Sequence, residues 1–100
     1  MRVIYHRLIN KDLRIALDWY ESEGGIALGD RFFAEAELTV KLIESNPKGF
    51  HFSDGGLRRA ALESFPYHFL YEYEEEVDTV WITVLRHDHR HPSFGLRRRW

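Results

Sequence analysis

The stretch YHFLYEYEEEVDTVWITVLRH, residues 67–87, decides the fold class. Near its start aromatic residues recur at every second position, and near its end valine and isoleucine do the same. Such alternation, in segments rich in aromatic and β-branched residues, is typical of β-strands with one buried face. The acidic run EEEVD between them predicts a turn. The stretch therefore predicts two consecutive strands, at 67–73 and 79–87.

Two further strands are predicted on the N-terminal side. LRRAALES at 57–64 precedes Pro66, which leaves room only for a tight link to the next strand. RVIYHRL at 2–8 is rich in β-forming residues. The alternation also predicts which side chains share a face: Tyr67, Phe69, Tyr71 and Tyr73 in one strand, and Val80, Ile82 and Val84 in the next.

Between the first two strands the period changes to that of a helix. Leu13, Ala16, Leu17 and Tyr20 form one apolar face of a helix that we expect to start at an Asn10 N-cap and to end near Glu23. Glycines at 24–25 end it, and a second helix at 26–45 stops before Pro47. We expect its core seam to consist of Phe33, Ala36, Val40 and Ile43, widened by Phe32 and Leu42. Two helices joined by so short a turn should pack as an antiparallel hairpin.

The element order is thus β-αα-βββ, in a single domain over residues 1–100. We expect an α+β fold: a mostly antiparallel, four-stranded twisted sheet with an N-terminal helical hairpin packed on one face. The chain has no cysteine, which excludes disulfides and thiolate metal sites, and no apolar stretch long enough to span a membrane. The sequence therefore predicts a soluble protein of the cytoplasm that has no contact with membranes.

The charge is unevenly distributed. Residues 51–76 hold two Lys/Arg and six Asp/Glu, a balance of 2 − 6 = −4, whereas residues 77–100 hold five and two, a balance of 5 − 2 = +3. The net charge is −2 and the pI is about 6.3. Proteins that bind nucleic acid through overall charge usually have a pI above about 9. We therefore expect no sequence-specific DNA binding by the chain alone, but the charge leaves room for a local basic region at its C-terminal end.

Three segments together resemble the toxins of the ParE/RelE superfamily, which belong to type II toxin–antitoxin systems. They are DLRIALDWYESEGGIALGDRFFAE, NPKGFHF with GGLRRAALESFPYHFLYEY, and VWITVLRHDHRHP. The resemblance implies the α+β fold predicted above and a cognate antitoxin of the ParD, RelB or Phd kind as partner. It also implies one of two activities. ParE-like members poison DNA gyrase and are often labelled plasmid stabilisation proteins, whereas RelE-like members cut messenger RNA on the ribosome.

The residues needed for RNA cleavage favour the ParE branch. Such cleavage requires a base, an acid and cations to hold the charge that develops on the phosphate. If the chain is a nuclease, the resemblance implies Arg59, His68, His87 and Arg90 as its catalytic groups. Ala61, however, stands where RelE-like nucleases have a second cation. We therefore expect a gyrase inhibitor, with the ribosome-dependent endoribonuclease as the alternative and a non-toxic binding module as the third possibility.

The resemblance also implies that basic side chains contact the antitoxin or the target. The candidate residues for binding the antitoxin or the target are Arg58, Arg59, Arg86, His87, Arg90, Arg97 and Arg98. His87, His89 and His91 alternate and could approach one metal ion in an extended strand, but Pro92 curtails that strand. We expect neither a metal nor a cofactor.

Overall fold

A computed structural model describes residues 1–100. The strands and the helical segment are β1 Arg2–Tyr5, α1 Ile9–Ser45, β2 Arg58–Ala61, β3 Tyr67–Glu74 and β4 Thr79–His87. Short 3₁₀ turns lie at Asp54–Gly56 and Glu75–Val77. The predicted order is confirmed. The ends of β3 and β4 agree with the alternation to within one residue, whereas β1 and β2 are shorter than predicted.

The four strands form one sheet in the order β1-β4-β3-β2. β3 pairs antiparallel with both β2 and β4, and β1 pairs parallel with β4. The prediction of a mostly antiparallel sheet is therefore confirmed. β1 and β2 are the edge strands, and the outer edge of β1 pairs with no other strand.

The segment α1 folds back on itself at Gly25. This glycine has φ 78° and ψ −176°, a conformation that side-chain-bearing residues avoid. The rings of Tyr20 and Phe32 stack with centroids 5.0 Å apart, although twelve residues of straight helix would separate them by about 18 Å. The halves 9–24 and 26–45 are therefore antiparallel, and the predicted helical hairpin is confirmed.

The start of α1 differs from the prediction of an Asn10 N-cap. The helix begins at Ile9, and its cap position is Leu8, which makes no side-chain cap hydrogen bond. Asn10 is exposed within the first turn. Asp12, in the same turn, has a buried side chain that faces the C-terminal residues. The cap prediction was wrong because the chain enters the helix two residues earlier, held by a hydrogen bond from Leu8 N–H to His6 Nδ1.

The core lies between α1 and the sheet. Tyr20 and Phe32 from the hairpin meet Phe65, in the link between β2 and β3, and Tyr67 of β3, with ring centroids 4.9–6.0 Å apart. The side chain of Phe32 is fully buried, whereas Phe33 is 40% exposed, so these two residues have the reverse of their predicted roles. The predicted widening by Leu42 is also wrong, because this side chain is 52% exposed.

A β-bulge in β4 divides the predicted apolar face of that strand. Leu70 pairs with Val84 and Tyr71 pairs with Ile82, which leaves Thr83 without a partner in the register. Val80 and Ile82 are in the core beneath the helices, whereas Val84 lies against Gly95 of the C-terminal segment. The prediction that Val84 shares their face was wrong, because the extra residue reverses the alternation.

Residues 88–100 form a third layer on the face of the sheet opposite the helices. The ring of Trp100 makes edge contacts with Trp81 and His6, with centroids 5.1 and 5.0 Å away. His6 Nε2 also lies 2.8 Å from the Arg99 carbonyl oxygen. These contacts bring the C-terminal end of the chain to the start of α1.

Candidate functional site

Arg86 lies at the centre of a buried polar network beneath the C-terminal layer. Its side chain is 2% exposed, and all three of its guanidinium nitrogens donate hydrogen bonds. Nη1 binds the carbonyl oxygens of Pro92 and Phe94 at 2.7 and 2.9 Å, and Nη2 binds Asp54 Oδ2 at 2.5 Å. Nε donates to His68 Nε2 at 2.9 Å. Arg86 thus joins β4 to β3, to the 3₁₀ turn before β2 and to the C-terminal layer.

His68 continues this network towards Asp88. The Nε of Arg86 always carries a hydrogen, so His68 Nε2 must accept and His68 Nδ1 must carry the proton. Nδ1 then donates to Asp88 Oδ1 at 2.8 Å, and the same oxygen accepts a hydrogen bond from Nη2 of Arg59 at 3.2 Å. Burial lowers the pKa of His68, and the charges of Arg59 and Arg86 act in the same direction, against the opposing effect of Asp88. His68 is therefore a neutral imidazole with both nitrogens engaged.

The four candidate nuclease residues differ in how accessible their side chains are. His68 is 1% exposed and cannot touch an RNA phosphate without unfolding of the layer above it. Arg59 is half-buried and paired with Asp88. His87 is also partly buried, and its ring meets the Tyr67 ring, with centroids 5.2 Å apart. Only Arg90 is fully at the surface, where its guanidinium carbon lies 4.1 Å from the centre of the Phe94 ring.

The candidate partner-binding arginines also differ in how accessible their side chains are. Arg58 donates from Nη1 to the carbonyl oxygens of Lys48 and Phe50 and stacks 4.0 Å above Phe52, so it fixes the loop before β2. Arg86 is buried, as described above. Arg97 is exposed and has no ion-pair partner. Arg90 and Arg97 therefore remain the predicted contact residues whose charges are accessible.

Arg98 forms a buried ion pair with Asp12 at the start of α1. Its Nη1 and Nη2 bind the two carboxylate oxygens at 2.6 and 2.7 Å, and the two side chains are 9% and 4% exposed. Asp12 Oδ2 also accepts the Leu85 N–H at 3.1 Å, and Arg98 Nη1 donates to the Thr83 carbonyl at 3.0 Å. The pair therefore locks the chain end to the first turn of α1, and Arg98 is not free to bind a partner.

The exposed basic residues of the two chain ends line one surface groove. This basic groove has a volume of about 920 Å³ and lies between the start of α1 and residues 90–99. Its cations are Arg7, Lys11, Arg90, Arg97, Arg98 and Arg99, and its one carboxylate is Asp12.

A second, apolar groove lies between the hairpin and β1. It has a volume of about 340 Å³, and its lining is mainly hydrophobic, with Tyr5, Leu13, Phe33 and Phe69 among its residues. Tyr5 is 50% exposed, and its strand is the unpaired edge of the sheet. An open strand edge beside an apolar groove can accept an extended or helical segment of another protein.

The fold has a counterpart among solved structures. A chain in the structure of the chromosomal ParDE TA system from P. aeruginosa aligns with a TM-score of 0.75 and 19% sequence identity. The alignment covers 87% of this chain and 95% of the other. The chain has a ParE-like fold. No protein-family model and no curated protein sequence matches the chain.

The C-terminal histidines make local hydrogen bonds. His87 Nδ1 accepts the His89 N–H at 3.0 Å, and His91 Nδ1 lies 2.7 Å from Ser93 Oγ. No group of three or more His, Asp or Glu side chains is arranged to hold a metal ion. No helix is both long enough and apolar enough to cross a membrane.

Sequence reasoning missed Asp12, Asp54 and Asp88 as partners of the arginines. Each of these acids is far in sequence from the arginine that it binds; Asp12 and Arg98 are 86 positions apart. The one available signal was Asp12 itself, an acid at the edge of an apolar helical stripe. Arg7, Lys11 and Arg99 were also missed as parts of one surface, because only the folded C-terminal layer brings the two chain ends together.

Proposed function

We propose that this chain is the toxin of a type II toxin–antitoxin pair that acts in the cytoplasm, inhibits DNA gyrase and is neutralised by its cognate antitoxin. The observation that carries the choice of target is the network around His68 and Arg86. Of the four groups that a RelE-like nuclease would turn towards RNA, His68 is buried and Arg59 is paired with Asp88, which leaves Arg90 as the one that is fully exposed. The ParE-like fold supports the toxin assignment, and the sequence resemblance supports gyrase as the target.

The apolar groove supports the antitoxin part of the proposal. An antitoxin segment that packs there would cover Phe33 and could extend along the free edge of β1. Apolar side chains anchored in a groove generally supply most of the binding energy of such peptides. We therefore assign antitoxin binding to this groove.

A supercoiling assay tests the target. Relaxed plasmid, gyrase, ATP and the folded chain are incubated together, and we expect linear cleavage products or loss of supercoiling. Normal supercoiling at a large molar excess of the chain would overturn gyrase as the target. Primer extension on a message that is being translated provides the opposing test, since new 5′ ends within codons would show an endoribonuclease instead.

Co-purification tests the antitoxin assignment. The product of a neighbouring short reading frame with an acidic C-terminal region is co-expressed with the chain, and we expect a stable complex. Phe33→Glu should abolish the complex. Leu38→Glu is the matched control, because Leu38 is exposed on the same half of α1 but does not line the groove. Equal retention of the partner by both variants would overturn the assignment to this groove.

A further inference from the structure

The basic groove concentrates positive charge on a protein whose net charge is −2. Five of its cations are in no ion pair: Arg7, Lys11, Arg90, Arg97 and Arg99. Its one carboxylate, Asp12, is already neutralised by both arms of the Arg98 guanidinium. The residues that line the groove therefore carry a surplus of five positive charges.

We propose that the basic groove binds the phosphodiester backbone of double-stranded DNA without reading its sequence. Such binding gains its free energy from the release of counterions when lysine and arginine side chains neutralise phosphates. It needs several accessible cations on one surface and no apolar anchor. This proposal goes beyond the toxin assignment and does not depend on it.

The lining of the groove favours phosphates over an acidic polypeptide. Peptide segments generally bind through buried apolar anchors, but only three hydrophobic residues line this groove. One of them, Phe94, lies between Arg90 and Arg98, whose guanidinium carbons are 4.1 and 5.4 Å from its ring centre. That ring is therefore covered by cations and offers little surface to an apolar side chain. Four of the five free cations are arginines, which can bind phosphate oxygens in pairs.

The acidic run Glu74–Glu76 is too far from Arg90 to cancel the charge of that residue. The run Glu74–Glu76 lies just before the start of β4, and Arg90 lies just beyond its end. A strand of nine residues is about 30 Å long, whereas at physiological ionic strength charges are screened over about 8 Å. The net charge therefore does not describe the field that a DNA phosphate meets beside Arg90.

Fluorescence anisotropy with a labelled 20-base-pair duplex of arbitrary sequence tests the proposal on the isolated, full chain. If four phosphates are contacted, the logarithm of the binding constant should fall against the logarithm of salt concentration with a slope of about −3.6. This corresponds to a loss of affinity of roughly a hundredfold between 50 and 200 mM salt. A second duplex of unrelated sequence should bind equally well.

Paired variants locate the contact. Lys11→Gln with Arg97→Gln should reduce the slope by about 1.8, because two phosphate contacts are lost. Arg31→Gln with Lys41→Gln is the matched control, since it removes the same charge from exposed positions outside the groove. Circular dichroism confirms that both variants are folded. If both pairs reduce the slope equally, or if the native chain does not bind, the proposal is overturned.

A competition experiment separates DNA from acidic protein. Poly-L-glutamate is added to the DNA complex at the same concentration of negative charge as an unlabelled duplex. We expect the duplex to displace the labelled DNA and the polypeptide to displace much less. Equal displacement by the two competitors would assign the groove to acidic polypeptides and overturn the proposal.

Discussion

Removal of the Asp12 carboxylate should destabilise the fold far more than removal of any exposed acid. The Asp12→Ala change leaves the Arg98 guanidinium, which is 9% exposed, with the Thr83 carbonyl as its remaining partner. It also takes the acceptor from the Leu85 N–H. Loss of one member of a buried ion pair costs about 3–5 kcal/mol. Arg98 lies close to the chain end, which can lift away, so we expect a value near the lower limit, about 3 kcal/mol.

Urea unfolding followed by circular dichroism measures this change. With a urea dependence of about 1–3 kcal/mol per molar, the midpoint should fall by roughly 1–3 M. Asp18→Ala is the control, because Asp18 pairs with Arg14 at 3.6 Å with both side chains 65% exposed. An exposed pair of this kind contributes at most about 0.5 kcal/mol.

The double variant Asp12→Ala with Arg98→Ala tests whether the pair acts as a unit. Once both charges are absent, no uncompensated ion is buried, so the double variant should lose at least about 1 kcal/mol less than the sum of the single variants. The reasoning is refuted if Asp12→Ala lies within about 1 kcal/mol of the native chain. It is equally refuted if the two single changes are additive.

Three further changes test other parts of the fold by urea unfolding. The lowered pKa of His68 means that below about pH 6.5 the unfolded chain takes up a proton that the folded chain resists, so the free energy of unfolding falls as the pH falls. Between pH 7.5 and 5.5, His68→Gln should reduce this pH dependence by up to about 1.4 kcal/mol per pH unit. The same pH dependence in the native chain and the variant would contradict this expectation. Gly25→Ala should cost about 1–3 kcal/mol of unfolding free energy. The cost comes from backbone strain alone, because a Cβ at this position would meet no atom within 4 Å. An unchanged unfolding midpoint would exclude that strain. Burial raises the pKa of Tyr71 to about 12, and its hydroxyl donates to the Pro47 carbonyl at 2.6 Å. Tyr71→Phe leaves that buried carbonyl without its donor and should cost about 1–3 kcal/mol of unfolding free energy. An unchanged unfolding midpoint would mean that water replaces the hydroxyl.

The sequence predicted those parts of the fold that local patterns encode. Alternation located β3 and β4, and the paired glycines located the turn of the hairpin. The bulge at Thr83 has no such signal, because one extra residue in a strand looks the same as regular alternation until the partner strand is known. Val84 was therefore assigned to the wrong face, and the layer that covers it was not foreseen.

The candidate site was harder to predict, since an arginine has the same appearance in sequence whether it is buried or exposed. Arg97 and Arg98 are neighbours, yet the first faces solvent and the second is locked to Asp12. What separates them is a carboxylate 86 positions away from Arg98. Pairing at that separation depends on the whole topology, which residue spacing does not reveal.

The buried arginines also determine where the exposed ones lie. Arg98 stands between Arg97 and Arg99, so its anchorage to Asp12 fixes both neighbours beside Arg7 at the start of α1. If the anchor is lost, the chain end can move and the groove loses part of its charge. The position of the cations in the groove is therefore a consequence of the ion pair beneath it.

This dependence gives a prediction in which net charge and fixed geometry have opposite effects. Asp12→Ala removes a negative charge, so attraction to DNA by net charge alone would become stronger. If the groove requires positioned cations, the same variant should bind the duplex more weakly and with a smaller salt slope, because Arg97 and Arg99 are no longer held in place. Anisotropy at 10 °C, where circular dichroism confirms that the variant is folded, measures both quantities. Tighter binding by Asp12→Ala would show that the anchored geometry of the groove is not what binds DNA.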